Sequence, residues 1–213
     1  MKTALVAGGT GLVGTQLIQE LLHSNRYATI KVLTRRDLGL THDKLIVHNI
    51  DFDKLEEYDD VLRADDVFCC LGTTMAQARS QQAFYRVDYT YPVALARRCS
   101  QLGARQFLIV SALGANKRSR FYYNRVKGEA EETISSVPFR CVHILRPSLL
   151  LGKRDEVRQG EDAAKLFYKA FGFLIPARYK GVEALQVARA MVTYAAEDNS
   201  GIFIHESNEL RGF

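Results

Sequence analysis

The stretch TALVAGGTGLVGTQLIQELL, Thr3 to Leu22, decides how this chain is read. An apolar run from Thr3 to Ala7 stops at glycine, and an amphipathic run starts at Leu12 and continues to His23. The two periodicities predict a strand, a tight turn and a helix. The turn carries four glycines in two overlapping registers: Gly9, Gly11 and Gly14 spell G-x-G-x-x-G, whereas Gly8, Gly11 and Gly14 spell G-x-x-G-x-x-G. Glycines between a strand and a helix permit the turn, let the backbone approach a pyrophosphate and aim the helix N-terminus at its charge. Gly8, Thr10, Gly11, Leu12, Val13 and Gly14 are therefore candidate cofactor-binding residues. A nucleoside triphosphate loop of the Walker type is excluded, because Thr15 and Gln16 follow Gly14 where Lys and Ser or Thr are needed.

Beyond the loop, short apolar runs alternate with longer amphipathic ones. Strands are predicted at Thr29–Thr34, Lys44–His48, Asp66–Leu71, Gln106–Val110 and Cys141–Leu145, and helices at Gln82–Leu102 and Arg120–Ser135. This alternation predicts an α/β fold with a doubly wound parallel sheet of the Rossmann type. After Arg146 to Ser148 the pattern becomes irregular, then resumes with helices at Glu161–Phe171 and Ala184–Glu197 and a last strand, GIFIHE. Residues 1–213 read as a single NAD(P)-binding domain, with 147–213 contributing a small substrate-side elaboration.

Composition narrows the class. Hydrophobic residues at 47% and charged residues at 25% are ordinary for a globular chain. No apolar run is long enough to cross a bilayer, and the N-terminal run lacks the features of a signal peptide, so a cytoplasmic location without membrane contact is expected. The net charge of +5 comes from scattered residues, and its densest group, Asn116 to Arg120, has no stacking module around it, so nucleic acid is not an expected partner. Cys69, Cys70, Cys99 and Cys141 lack metal-ligand spacing and read as buried reduced thiols; no metal site is expected.

The remaining strand ends refine the cofactor. About twenty residues after Gly14 the chain reads Thr34-Arg35-Arg36 rather than an acid. Two guanidiniums suit a 2′-phosphate, which favours NADP(H); Asp37 keeps NAD(H) possible, and an exposed polar turn is the plain alternative. Asp51 and Phe52 follow the third strand and are placed to flank an adenine, while Leu71, Gly72, Thr73 and Thr74 end the fourth strand beside the cofactor. Either stretch also reads as an ordinary loop.

Tyr123 and Lys127 are four apart at the start of a predicted helix and so share a face. An ammonium beside a phenol favours the phenolate and makes a proton donor and acceptor. Tyr27 and Lys31 match the same spacing, but Tyr123 follows the strand whose carboxyl end faces the cofactor, and that strand ends at Ser111, which either bonds a substrate carbonyl or caps the strand.

Together the glycine loop, Ser111 and the Tyr123–Lys127 pair resemble the short-chain dehydrogenase/reductase superfamily in its extended or atypical branch. FYRVDYTYPVALARRCSQLGARQFLIVSALGANKRS, YNRVKGEAE and LRPSLLLGKRDEVRQGE are similar, more narrowly, to the Tat-interacting oxidoreductase group and its bacterial members. The resemblance implies an oxidoreductase passing hydride to or from NADP(H), acting on a carbonyl, alcohol or sugar-like small molecule. It implies Gly8, Gly11 and Gly14 as the phosphate loop, with Gly9 a small neighbour, and Arg35 and Arg36 as holders of the 2′-phosphate. It implies Tyr123 as acid/base, Lys127 as ligand of the nicotinamide ribose, and Ser111 as positioner of the substrate oxygen. Long helices at Gln82 and Arg120 make a homodimer possible. Arg178 and Tyr179 fall in a segment resembling the superfamily's substrate side. Two departures stand out: Asp88 occupies the position where many members carry a relay Asn, and only Ser148 to Phe213 follow Pro147. They favour the alternative of an NADPH-binding regulatory protein without turnover.

Overall fold

The computed structural model describes residues 1–36, 38–152 and 180–213. The first unit is strand β1 (Lys2–Ala7), helix α1 (Leu12–His23) and strand β2 (Tyr27–Thr34), followed by β3 (Leu45–Asn49). A 3-10 segment (Phe52–Tyr58) and short α2 (Asp59–Leu62) lead to β4 (Asp66–Cys69), α3 (Met75–Ala78) and α4 (Gln81–Tyr85). A π-helical turn (Arg86–Thr90), α5 (Tyr91–Gln101), β5 (Gln106–Val110), α6 (Tyr122–Ser135) and β6 (Cys141–Arg146) complete the centre of the chain. After β7 (Leu150–Leu151) come β8 (Val182–Glu183), α7 (Ala184–Ala196), β9 (Gly201–Glu206) and α8 (Ser207–Leu210).

The main sheet runs β3-β2-β1-β4-β5-β6-β9 and is parallel throughout. The strand order reverses between β1 and β4, and the crevice outside the carboxyl ends of those strands is where this topology binds ligands. Successive side chains of a strand face opposite layers. Ala4 and Val6 of β1 accordingly join Leu17, Leu21 and Met191 in the layer of α1 and α7, while Leu5 and Ala7 join Leu95, Cys99 and Ile134 in the layer of α5 and α6. With both faces covered, the central strands read as unbroken apolar runs. Cys69 and Cys70 enter opposite layers; Cys69, Cys99 and Cys141 are buried, Cys70 is partly buried, and all four are free thiols.

Two features depart from expectation. The described part of 147–213 is more than a substrate-side elaboration: β9 extends the main sheet on β6, and α7 buries Val187, Ala188 and Met191 in the core, with Val192 partly buried. The helix expected over Gln82–Leu102 is interrupted by the π turn, where Tyr91 N donates to Arg86 O. Pro92 has no amide to bond the carbonyl four residues back, which removes a rung of the regular helix there.

Beneath β6 and β9 lies a buried imidazole pair. His143 Nδ1 and His205 Nε2 are 2.9 Å apart, Cys141 Sγ is 3.1 Å from His143 Nε2, and Glu209 Oε2 is 3.5 Å from His205 Nδ1. Tyr194 and Phe203 stack on the His143 ring at 5.6 and 5.3 Å. Burial, with His205 adding to it, pushes His143 down to about 4. The unfolded chain therefore binds a proton on His143 from about pH 6.5 downward while the folded chain does not, so stability is lost as pH falls from about 6.5 toward 4. Urea unfolding between pH 7 and 5 is expected to show this loss, with a slope of up to about 1.4 kcal/mol per pH unit from His143. His143→Gln should flatten the slope; an unchanged slope would show that the pair does not carry it.

Candidate functional site

The glycine loop sits at the carboxyl end of β1. Gly8 adopts φ +86°, and a Cβ there would lie 2.5 Å from the Cys70 carbonyl oxygen. A Cβ on Gly14 would lie 2.2 Å from the Gly8 carbonyl oxygen, so α1 can approach β1 only with glycine at that position. Gly11 N donates to Gly8 O at 3.0 Å, and Gly11 caps α1 without a side chain to satisfy its first amides. These are the glycines of the longer register. Gly9 does more than stay small, since a Cβ on it would meet Val32 Cγ1 at 2.6 Å and Ile18 Cδ1 at 2.9 Å. The result is a cradle that side chains would fill, at the uncapped N-terminus of a twelve-residue helix, and its residues fit a pyrophosphate. Thr10 is exposed and Leu12 partly buried, whereas the Val13 side chain belongs to the core, leaving only its backbone for a ligand.

At the end of β2, Arg35 and Arg36 are exposed, and neither guanidinium has a partner among the described residues. Thr34 Oγ1 holds the turn by donating to Arg36 O and accepting from Arg36 N, at 2.6 and 3.0 Å. Asp37, Arg178 and Tyr179 lie outside the described residues. Asp51 is exposed, with Oδ1 accepting from Asp53 N at 3.0 Å. The expectation that the Phe52 ring flanks an adenine is corrected: it is buried in the core, with Tyr91 at 5.4 Å, because an apolar ring at a strand end finds the α5 layer before it finds solvent.

Leu71 to Thr74 do end β4 at the crevice, but two of their polar groups have internal partners. Thr73 N donates to Asp88 Oδ2 at 2.9 Å, and Thr74 Oγ1 caps α3 by accepting from Gln77 N at 3.2 Å. Gly72 remains exposed, and a Cβ on it would lie 3.6 Å from Lys127 Nζ. Lys127 is buried with its ammonium 2.8 Å from Asp88 Oδ1, an ion pair off the line of a good hydrogen bond. Burial is the strongest influence on this lysine and works against its charge, but Asp88 and then Tyr123 more than offset it and leave Lys127 above the usual lysine value. One turn earlier on α6, Tyr123 is partly buried, its ring 5.4 Å from that of Phe84. The competing pair is structural: Tyr27 OH donates to Asp66 at 2.8 Å, and Lys31 Nζ donates to the Asp60 and Arg63 carbonyls.

Tyr123 faces a cleft of about 800 Å³, lined also by Ala112 to Gly114 after β5, Asn124, and Pro147 to Leu149 after β6. Ser111 does not line it. Its hydroxyl donates to buried Glu131, which also takes both arms of Arg146, Nε at 3.0 Å and Nη2 at 2.5 Å. The reading of Ser111 as positioner of a substrate oxygen is therefore corrected: a buried carboxylate is the stronger acceptor and turns the hydroxyl inward. Glu131 and the cleft-lining Asn124 were missed in the sequence. The first had a signal, since Tyr123, Lys127 and Glu131 recur every four residues on one face.

Comparison with known proteins agrees with this fold. Residues 4–166 match the model of the NAD dependent epimerase/dehydratase family. The chain is 35% identical to Protein HTATIP2 of Rattus norvegicus, across 94% of this chain and 84% of that protein. It is 32% identical to Protein FMP52, mitochondrial, of Eremothecium gossypii, across 97% and 95%. FMP52 proteins of several fungi are named as mitochondrial, and the expectation of a cytoplasmic location is withdrawn on that finding. Among solved structures, MoeE5 in complex with UDP-glucose and NAD superposes with a TM-score of 0.73 at 18% identity, covering 98% of this chain and 79% of that one. The Lactococcus lactis oxidoreductase ylbE gives 0.70 at 16% identity, covering 99% and 96%, and at these identities the likeness concerns the fold. The chain belongs to the NAD dependent epimerase/dehydratase family, as an atypical short-chain dehydrogenase/reductase of Rossmann fold.

Proposed function

We propose that this protein is an NADPH-dependent oxidoreductase acting on a carbonyl, alcohol or sugar-like small molecule, with Tyr123 as its proton donor and acceptor. The observation that carries this reading is the placement of Tyr123 on the cleft with Lys127 one turn on, buried beside Gly72 at the carboxyl ends of β4 and β5. When bound, the nicotinamide supplies or takes up hydride at C4. The glycine loop and the first amides of α1 hold the pyrophosphate, and the exposed guanidiniums of Arg35 and Arg36 hold the 2′-phosphate. Lys127 pairs with Asp88 by charge and offers N–H donors for a ribose hydroxyl and for the Tyr123 oxygen. Tyr123 gives its proton to the substrate oxygen as that oxygen gains charge, and takes it back in the reverse direction. Engagement of Ser111 by Glu131 favours a second reading, a regulatory protein that binds NADPH without turnover.

A panel of carbonyl compounds separates the two. Tyr123→Phe is expected to slow NADPH oxidation by about a hundredfold or more with cofactor affinity retained. Ser111→Ala should instead keep turnover and lose about 1 kcal/mol of folding stability. Equal rates in wild type and Tyr123→Phe would reject the role of Tyr123, and tight NADPH binding with no turnover on any compound would leave the regulatory reading.

The cofactor preference has its own measurement. Calorimetry should find that Arg35→Ala with Arg36→Ala weakens NADPH binding about tenfold or more and leaves NADH binding unchanged, as expected for loss of charge-assisted bonds. A wild type that does not distinguish the two cofactors would reject the 2′-phosphate site.

A further inference from the structure

Asp88 is nearly inaccessible, at 1% exposure, yet its carboxyl group faces the Lys127 ammonium at 2.8 Å. Buried carboxylates persist where they are matched by charge and hydrogen bonds, and this one is matched twice by different parts of the chain. Oδ1 faces the Lys127 ammonium of α6, and Oδ2 takes the Thr73 amide of the loop after β4. The π turn that carries Asp88 breaks the regular rotation of the helix, a device common at functional sites. We propose that Asp88 is the positioning residue of the site: its carboxylate keeps Lys127 charged and fixed inside the protein and, through the Thr73 amide, holds the Gly72–Thr74 loop in register with that lysine. The proposal rests on the reading of Lys127 as a cofactor ligand.

The charge balance supports it. The groups that act on Lys127 are Asp88, Tyr123 and Cys69. Burial pushes the Cys69 thiol up to about 12, so it is neutral at working pH, and Asp88 is the carboxylate among these groups. An asparagine in its place presents one acceptor where two donors need one, and its amide N–H₂ would face either the ammonium or the Thr73 N–H. With the counter-charge removed, the largest opposition to desolvation of the lysine is lost.

The experiment is Asp88→Asn, followed first without cofactor. With lysines labelled at Nζ with ¹⁵N and Lys127→Met used for assignment, the wild-type Lys127 ammonium should persist through about pH 10, and its midpoint should fall by about one pH unit or more in Asp88→Asn. Calorimetry with NADPH should then show affinity changing little between pH 7 and 9.5 in wild type but falling about twofold or more in Asp88→Asn, as Lys127 neutralises. An unchanged Lys127 titration in the variant would overturn the proposal. If the wild type fails to bind NADPH, the cofactor reading fails, and the cofactor-free titration still decides the role of Asp88. Should Asp88→Asn not fold, Asp88→Asn with Lys127→Met removes the unpaired charge. Recovery of folding supports the proposal; continued failure overturns it, since Asp88 would then serve only to hold the Thr73 loop.

Discussion

Helix α1 starts where it does because Gly14 brings no side chain against the Gly8 carbonyl. The rest of the site follows from that approach. It sets the uncapped first turn of α1 over the gap where β1 and β4 part company, the one place in this topology where backbone amides and the carboxyl ends of strands on both sides face a common space. It also lays the Leu17–Leu21 stripe of α1 against α7, which carries the chain on to β9 and the far edge of the sheet. Loop and sheet edge are thus tied through one helix pair.

Features governed by local rules could be read from the sequence. Strand and helix periods, and glycines that no other residue could replace, predicted the parallel sheet, the loop and the helix of Tyr123 and Lys127. Features governed by distant partners could not. Nothing near Ser111 announces that Glu131 and Arg146 will meet beneath it and turn its hydroxyl inward. Phe52 fits both a ligand and a core reading by pattern, and only the position of Tyr91 decides between them. The π turn escaped because one extra residue leaves a helical pattern almost unchanged over a short window.

Helix α6 carries two buried electrostatic systems one turn apart. At Lys127 the partner is Asp88; at Glu131 the partners are Ser111 and Arg146, whose Nη1 also reaches Glu206 at 3.2 Å. The bonds to Glu131 chiefly hold Arg146 above its usual value, so its charge is committed within the protein although it borders the cleft. Tyr123 thus meets the cleft beside groups whose charges are already balanced beneath it.

The π turn bears on how this fold can vary. Each residue of a regular helix advances the direction of its side chains by about 100°. Loss of one residue between Arg86 and Thr90 would restore an even helix and rotate Asp88 relative to α5 by about that angle, away from both Lys127 and Thr73. Such a deletion would regularise the backbone while leaving the buried Lys127 without its carboxylate partner. The placing of Asp88 is therefore written in the backbone itself, visible as a count of residues rather than as any one side chain.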